Sequence, residues 1–249
     1  MSEYEKASRG AYMLFLSQII GIFGTLISIS IIFGYSMSAL SKTAFYLNNS
    51  ISPSSFIYTT PAVSGMELKV LSFLINALIL AVIVGGIIEV VQFLFNVYGW
   101  KELSKFNRSE YRTPYIGSIL SLIGLILAIP SIAFILSAVK PLLASISSGA
   151  SPPAQALAVL AVGSVPVLLG SLLIIVGYII VLVGYWRLGS NFNSSLIKAA
   201  VILIIVGIVL SLVQPLIGEL LGVVSLILLT AGLYSVSKKA KALSASPSQ

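Results

Sequence analysis

The sequence predicts an all-α fold, a polytopic bundle of transmembrane helices, and three observations carry that prediction. Hydrophobic residues make up 58% of the 249 residues and charged residues only 8%, whereas an average soluble domain is about 25% charged. Residues 10–41 contain no charged side chain, and comparable apolar runs recur along the chain. A helix needs about 20 apolar residues to cross a hydrocarbon core of ~30 Å, and only an internally bonded backbone tolerates that environment.

Six helices are predicted, and they pair as three hairpins that make residues 1–249 a single membrane domain. Each helix occupies an apolar run that charged or turn-forming residues delimit. The first run ends before Lys42, the second before Lys101, the third before Lys140 and the fourth before Arg187. The predicted ranges are 11–40, 68–98, 115–139, 156–186, 196–213 and 215–236.

The last two helices are short because polar and turn-forming residues interrupt what is otherwise one run of about 40 residues. Gln214-Pro215 and Gly218-Glu219 stand in the middle of that run, and a polar break with Pro and Gly favours a tight hairpin turn. The alternative is a five-helix chain in which one segment is broken or re-entrant.

Basic residues predict the orientation, since cytoplasmic loops carry an excess of Lys and Arg. With six helices, eleven basic residues fall on one side and three on the other. This asymmetry places both termini in the cytoplasm and the protein in the plasma membrane, and a five-helix chain would break it. The eleven are Lys6, Arg9, Lys101, Lys105, Arg108, Arg112, Arg187, Lys198, Lys238, Lys239 and Lys241, and the three are Lys42, Lys69 and Lys140.

Composition excludes several classes of site. The chain has no Cys and no His, which excludes disulfides, zinc sites of the usual nitrogen and sulfur type, haem held by His or Cys, and Ser–His or Cys–His nucleophiles. Asp is missing too. We therefore expect no enzyme activity, no metal and no cofactor. The net charge of +7 lies beside hydrophobic spans, so it predicts contact with membrane lipid and not with nucleic acid.

The residues that follow the second and fourth spans repeat one another. Trp100 and Lys101 precede a Phe-Asn pair, as Trp186 and Arg187 do, at a constant offset of 86 residues. Aromatic rings at the membrane interface with bases just inside it explain this order, so these four residues are predicted interface anchors. The shared Phe-Asn pair leaves open an internal duplication of parallel hairpins.

Two stretches near the C-terminus carry a resemblance to a known family. One reads Gly-Tyr-Trp-Arg-Leu-Gly over 184–189 and continues to Asn-Ser-Ser-Leu at 193–196, and the other is Pro-Leu-Ile-Gly at 215–218. Over roughly the last 65 residues the chain resembles an uncharacterised family of multi-spanning membrane proteins from thermoacidophilic archaea, a domain-of-unknown-function family. The resemblance implies an archaeal plasma membrane, and it implies no activity and no functional residues.

Small residues recur on several predicted helices at spacings of three, four or seven, which place each set on one helix face. Small residues let membrane helices approach closely. We interpret these faces as packing surfaces within the bundle, with a subunit interface as the alternative. The glycines concerned are Gly21, Gly24, Gly85, Gly117, Gly124, Gly163, Gly170, Gly177 and Gly184.

Glu89 is the candidate functional residue of the second helix. Small residues precede it at four-residue intervals, and Gln92 and Asn96 continue the same face inward. It lies about nine residues, or ~14 Å, from the predicted inner boundary, where an ionisable group is costly and indicates function by default. Two interpretations stay open. Glu89 is either a neutral side chain that donates one hydrogen bond across a helix pair, or part of a proton or cation site with Gln92 and Asn96.

Two further expectations concern regions outside the spans. Asn48-Asn49-Ser50 is an N-glycosylation sequon on the predicted outer side, which makes Asn48 a candidate glycosylation site. The tail at 242–249 is expected to be flexible, as chain termini usually are.

The function that these features favour is a non-catalytic bundle that acts as a subunit or scaffold of a membrane assembly. Such an assembly is either a homo-oligomer or a complex with other membrane subunits. The alternative is a small channel or transporter that uses an intramembrane site at Glu89. An intramembrane enzyme is the least favoured of the three, because the chain lacks Asp, His and Cys.

Overall fold

A computed structural model describes residues 2–50 and 61–245, and within its helices the side chains at 39–40, 42–50, 61–72 and 146–147 are not described. Over these ranges the chain forms six α-helices and no strand, which confirms the predicted all-α class. The helices are α1 (Glu3–Ser50), α2 (Pro61–Phe106), α3 (Arg108–Ser147), α4 (Ala154–Asn191), α5 (Ser195–Ser211) and α6 (Pro215–Ala245).

Five of the six helices in the described ranges are long and apolar enough to cross a membrane. α5 is apolar but has only 17 residues, which is about 25 Å of helix, and it packs against α6. Large apolar side chains stand exposed along the spans, for example Leu168 at 70% on α4 and Leu220 at 60% on α6. Extended apolar surfaces are rare on soluble monomers. These are the helices of a multi-pass membrane protein.

Most helices extend beyond the ranges that the sequence predicted. α1 continues through 41–50 and α2 through 99–106, both expected to be loops. The expected boundaries followed the first charged residues, but Lys and Glu are good helix formers and charge alone does not end a helix. Asn48 falls in this part of α1, and its side chain lies outside the described residues. α6 includes 242–245, which corrects the expected start of the tail, and 246–249 lie outside the described residues.

Two short joints explain where α2 and α4 end. One residue, Asn107, separates α2 from α3, and its backbone N–H donates to the Leu103 carbonyl at 3.0 Å. Between α4 and α5, Asn193 has a φ of 49°, a left-handed conformation that Asn tolerates better than most residues. Ser194 then caps α5, because its side chain accepts the backbone N–H of Ile197.

The chain divides into two compact units, which we call the first and the second unit. The first unit comprises Met1–Ile22, Ile88–Leu125 and Ser171–Gln249, and the second comprises Phe23–Ile87 and Ile126–Gly170. Each of α1 to α4 contributes a segment to both units, whereas α5 and α6 belong to the first unit alone. The two units are therefore not successive domains of the chain.

A buried cluster of large side chains holds the first unit together. Trp100 and Tyr111 are completely buried in it, and the Trp100 ring lies 5.1 Å from the ring of Tyr185. Phe106 and Phe192 occupy equivalent places in the sequence repeat, and their ring centroids are 6.1 Å apart. The α2–α3 and α4–α5 joints therefore pack against one another.

The beginning of α1 and the end of α6 also meet in the first unit. Ser8 Oγ donates to the Ser237 carbonyl at 2.9 Å, and Ser237 Oγ donates to the Ser8 carbonyl at 3.1 Å. Lys239 lies two residues after Ser237, and its Nζ donates to the Phe192 carbonyl at 2.9 Å. The two ends of the described chain thus lie at the same end of this unit.

Small residues allow close helix packing in the second unit. A Cβ atom added to Gly86 would lie 2.7 Å from Cγ2 of Ile129, and one added to Gly163 would lie 2.8 Å from Cγ1 of Ile135. These distances leave no room for a side chain, so α2 and α4 each approach α3 through a glycine. Close approach through small residues is a common source of helix association in membranes.

Candidate functional site

The structure brings Gln92 and Asn96 together and leaves Glu89 apart. Asn96 is 8% exposed, Gln92 is half-buried and Glu89 is exposed. Seven residues are close to two helical turns, so Glu89 and Asn96 leave α2 in nearly the same direction. The difference is therefore one of position along the helix. At Asn96 the side chains of Gln18 and Tyr185 cover this face, and at Glu89 the side chain stays uncovered.

A cavity of about 380 Å³ lies in the first unit, and we call it the polar cavity. All six helices contribute polar side chains to its lining, while most of the remaining wall is apolar. Gln92 and Asn96 are among the lining residues, and Glu89 is not. The polar lining residues are Gln18, Gln92, Asn96, Ser121, Tyr178, Tyr185, Ser211, Glu219 and Ser225.

Three buried side chains form the hydrogen-bonded centre of the polar cavity. Gln18 Nε2 donates to the Tyr185 hydroxyl at 3.2 Å, and Asn96 Nδ2 donates to the same hydroxyl at 3.4 Å. Asn96 Oδ1 is buried and has no hydrogen-bond partner among the described residues. Buried polar atoms are nearly always bonded, so this side of the cavity retains an unused acceptor.

Glycines on α5 and α6 keep the volume of the polar cavity open. Gly207, Gly218 and Gly222 line it where larger residues would project a side chain. A Cβ atom added to Gly222 would meet nothing within 4 Å. Gly218 is different, because its added Cβ would lie 2.6 Å from Cα of Ser211 across the α5–α6 turn. Gly218 therefore allows the close approach of α5 and α6 at their turn, whereas Gly222 leaves open space in the cavity.

The polar cavity has the chemistry of a binding site and not of a reaction centre. Its carboxamides and hydroxyls both donate and accept hydrogen bonds, so they suit an uncharged polar group. Glu219 is the single carboxylate among the lining residues, and its side chain is exposed. None of the described lining residues is Lys or Arg.

The four predicted interface anchors fall into two groups. Trp186 is 43% exposed, and Lys101 and Arg187 are exposed as well. Trp100 is completely buried, which corrects its expected place among lipid head groups. Its ring is part of the aromatic core of the first unit. Two tryptophans that are equivalent in the sequence repeat therefore have different environments.

Predicted helix-packing glycines lie at close contacts within the chain. A Cβ atom added to Gly21 would lie 2.7 Å from the carboxamide of Gln92, and one added to Gly85 would lie 2.6 Å from Ser28 Oγ. Both contacts join α1 to α2, and the subunit-interface alternative for these faces stays open. Gly21 and Gly85 are partly buried, and the other glycines of the prediction are buried, namely Gly24, Gly117, Gly124, Gly163, Gly170, Gly177 and Gly184.

Sequence reasoning missed Gln18 and Tyr185 as members of the polar cavity. Gln18 is a carboxamide inside a charge-free apolar run, a pattern that indicates a hydrogen bond between spanning helices. Tyr185 precedes Trp186 and Arg187, in a segment whose aromatic–basic order is typical of the membrane interface and does not indicate a buried hydroxyl. The pairing of Gln18 and Asn96 with Tyr185 depends on which helices are neighbours, and no local pattern gives that information.

Comparison with known proteins identifies the family but not an activity. The sequence matches the family described as protein of unknown function (DUF973) over residues 2–249. The match confirms that the chain belongs to a family of unknown function, and it extends well beyond the C-terminal stretches that carried the resemblance. No curated protein and no solved structure matches the chain significantly.

Proposed function

The chain belongs to the DUF973 family of proteins of unknown function, and from that premise we propose that it is a non-catalytic bundle. In this proposal it acts as a subunit or scaffold of a membrane assembly. Its partner is a second copy of the chain or another membrane protein, and lipid surrounds the remaining surface. The proposal includes no cofactor and no nucleic acid.

The observation that supports this proposal is the exposed position of Glu89 on α2. Its neighbours Ile87 and Val91 are apolar and exposed, at 61% and 39%, and all three belong to a helix that can span a membrane. A charged side chain in the centre of a bilayer costs about 2.5–3.5 kcal/mol on insertion scales. A partner subunit that hydrogen-bonds the carboxyl group would remove most of that cost.

We place the protein in the plasma membrane with both termini in the cytoplasm, and the resemblance noted above suggests an archaeal source. The contact between Ser8 and Ser237 supports a common side for the two ends. Basic residues are concentrated beside these ends, with Arg9 on α1 and Lys238 and Lys239 on α6. The excess of basic residues in cytoplasmic segments then favours the cytoplasm for that side.

The test of this proposal is the oligomeric state of the full-length protein in lipid nanodiscs, measured by light scattering together with identification of copurifying membrane proteins. We expect a defined oligomer or complex that Glu89→Leu disrupts and Glu89→Gln retains, since glutamine can still hydrogen-bond. Glu3→Leu is the control, because Glu3 is exposed in the first turn of α1. A wild-type monomer without partners would contradict the proposal.

A small channel or transporter is the second candidate, and the polar cavity is the observation that favours it. In lipid vesicles reconstituted with the purified protein, a proton or cation flux that Glu89→Gln abolishes would support a pathway at Glu89. Flux that this variant leaves unaltered would exclude Glu89 from the pathway. Gln92 and Asn96, which line the polar cavity, would then be the next residues to substitute in the flux measurement.

A further inference from the structure

We propose that the polar cavity binds a small uncharged molecule with an amide or hydroxyl head group and a short apolar body. The proposal concerns a partly open cavity of the first unit, and it is independent of the assembly role assigned to the exposed Glu89. It depends on three properties of the cavity, namely its unused hydrogen-bonding capacity, its open volume and its lack of buried charge.

The unused hydrogen-bonding capacity does not depend on how the Asn96 side chain is oriented. In the orientation described above, Nδ2 donates to the Tyr185 hydroxyl and Oδ1 lacks a partner among the described residues. If the amide is turned over, the Tyr185 hydroxyl donates to Oδ1 and the amide nitrogen loses that acceptor. In either orientation one polar atom of a nearly buried side chain needs a further partner.

The Tyr185 hydroxyl has spare capacity as well. It accepts hydrogen bonds from Gln18 and Asn96, so its own proton is available to an acceptor. A ligand that carries both a donor and an acceptor, such as an amide or an alcohol, can bond to Asn96 and Tyr185 together. Asn96 and Tyr185, which are neighbours in space, would therefore together hold the head group of the ligand.

The size and walls of the polar cavity define the rest of the ligand. Its volume of about 380 Å³ falls within the ~300–1,000 Å³ of typical small-molecule sites, which are mostly apolar with a few polar groups. Apolar lining residues such as Phe93, Leu226 and Leu229 suit an alkyl body. Gly222 opens further space beside them, since nothing lies within 4 Å of its added Cβ.

The charge of the lining favours an uncharged ligand. The buried lining groups are carboxamides and hydroxyls, and Glu219, the carboxylate of the lining, is exposed. A cation bound at the centre would lack a buried counter-charge, and an anion would lack a basic partner among the described lining residues. Burying an unpaired charge is far more costly than burying a hydrogen-bonded neutral group.

The experiment uses three probes of equal length that differ in head group, namely pentanamide, pentylammonium and pentanoate. Each is titrated into the full-length protein in detergent, with Trp100 fluorescence as the readout in a Trp186→Phe background. The chain has two tryptophans, and the Trp100 ring lies 5.1 Å from that of Tyr185. We expect a saturable change with pentanamide and no saturable change with the two charged probes.

Two variants and one matched control locate the binding. Asn96→Leu removes the head-group partner and is expected to weaken pentanamide binding by about tenfold, the effect of one lost buried hydrogen bond. Gly222 lines the cavity, and a Cβ added there meets nothing within 4 Å. Gly222→Leu is therefore expected to take up cavity volume and abolish binding while keeping the fold. Gly34→Leu is the control, since Gly34 also has nothing within 4 Å of its added Cβ and does not line the cavity.

The outcomes separate clearly. Saturable pentanamide binding that Gly222→Leu abolishes and Gly34→Leu retains would establish the site, even if Asn96→Leu fails to fold. Equal responses to all three probes, or binding that Gly222→Leu leaves unchanged, would indicate partition into the detergent and overturn the proposal. Saturation by pentylammonium alone would also overturn it and would favour a cation site. Loss of oligomers in Glu89→Leu has no bearing on these results.

Discussion

The first and second units pack differently, although four of the helices contribute to both. In the first unit, side chains from distant helices hydrogen-bond to one another, as Gln18 and Asn96 do with Tyr185. Glycines approach apolar side chains closely in both units, at Gly117 in the first and at Gly86 and Gly163 in the second. The buried hydrogen-bonded centre around Tyr185 is therefore what distinguishes the described part of the first unit.

This difference indicates how a charge-poor sequence can specify one arrangement. Helices in lipid gain little from apolar burial, because lipid tails are as apolar as the protein, so packing and interhelical hydrogen bonds decide their neighbours. Close packing alone permits several arrangements of apolar helices, whereas a buried hydrogen bond requires one particular donor and one particular acceptor. We therefore expect the first unit to be more sensitive to substitution than the second.

The largest effect is expected from a leucine at a close contact of the first unit. A Cβ atom added to Gly117 would lie 2.6 Å from Cγ2 of Ile180 and 2.9 Å from the Gly177 carbonyl oxygen. Gly117→Leu should therefore lower the free energy of unfolding by about 3 kcal/mol or more. Titration with a denaturing detergent in mixed micelles measures this change.

Gly34→Leu provides the matched comparison in the second unit. Nothing lies within 4 Å of a Cβ added to Gly34, so the added side chain should meet lipid without displacing protein atoms. Equal losses of stability for Gly34→Leu and Gly117→Leu would show that the close contacts at Gly117 do not account for its sensitivity.

The second-largest loss of stability is expected for a substitution of Tyr185. Tyr185→Phe removes the hydroxyl that accepts from Gln18 and Asn96, and leaving buried polar groups without a partner costs about 1–3 kcal/mol. Tyr35→Phe in the second unit keeps the ring that lies 5.1 Å from that of Phe73, and should change the free energy of unfolding by less than about 0.5 kcal/mol. The same detergent titration compares the two variants.

A smaller effect is expected where α1 and α6 meet. Ser237→Ala removes the hydrogen bond from Ser237 Oγ to the Ser8 carbonyl but keeps the one from Ser8 Oγ to the Ser237 carbonyl. Hydrogen bonds between membrane helices contribute about 0.6 kcal/mol on average, so the loss should be of that size. Proteolysis of the C-terminal segment should be faster in this variant, and an unchanged cleavage rate would argue against a role for the bond in holding α6.

The smallest effect is expected at an exposed contact of the second unit. Lys140 Nζ donates to Asn76 Oδ1 at 2.5 Å in an exposed position. Lys140→Met keeps most of the side-chain length, and the free energy of unfolding should change by less than about 0.5 kcal/mol, as for most surface substitutions. A loss as large as that of Tyr185→Phe would show that polar contacts matter equally in both units.

The sequence was sufficient to predict the helices because their signal is local. Apolar runs gave the fold class, and Gln214-Pro215 marked the turn that separates α5 from α6. Helix ends were predicted too early, since Lys42 and Lys101 introduce charge without ending α1 and α2. Charged residues indicate where a helix leaves the hydrocarbon core for water. The helix itself ends where a turn, such as that at Asn193, breaks its backbone hydrogen bonding.

The polar cavity could be predicted only in part because its residues come from distant parts of the chain. Gln92 and Asn96 were identified from their spacing on one helix face, and the same spacing includes Glu89, which does not line the cavity. Whether a side chain on that face is covered depends on the neighbouring helices, and Tyr185 stands 89 positions after Asn96 in the sequence. Trp100 was misplaced for the same reason, because its burial depends on other helices.

The hydrogen bonds between Ser8 and Ser237 join residues that are 229 positions apart, and this has a consequence for biosynthesis. A ribosome adds residues from the N-terminus onward at about 5–20 per second, so α1 enters the membrane many seconds before its partner exists. During that interval the start of α1 must be held by lipid, by the insertion machinery or by α2. This contact therefore forms only after α6 has been made, and a chain truncated before Ser237 should remain a target for quality-control proteases.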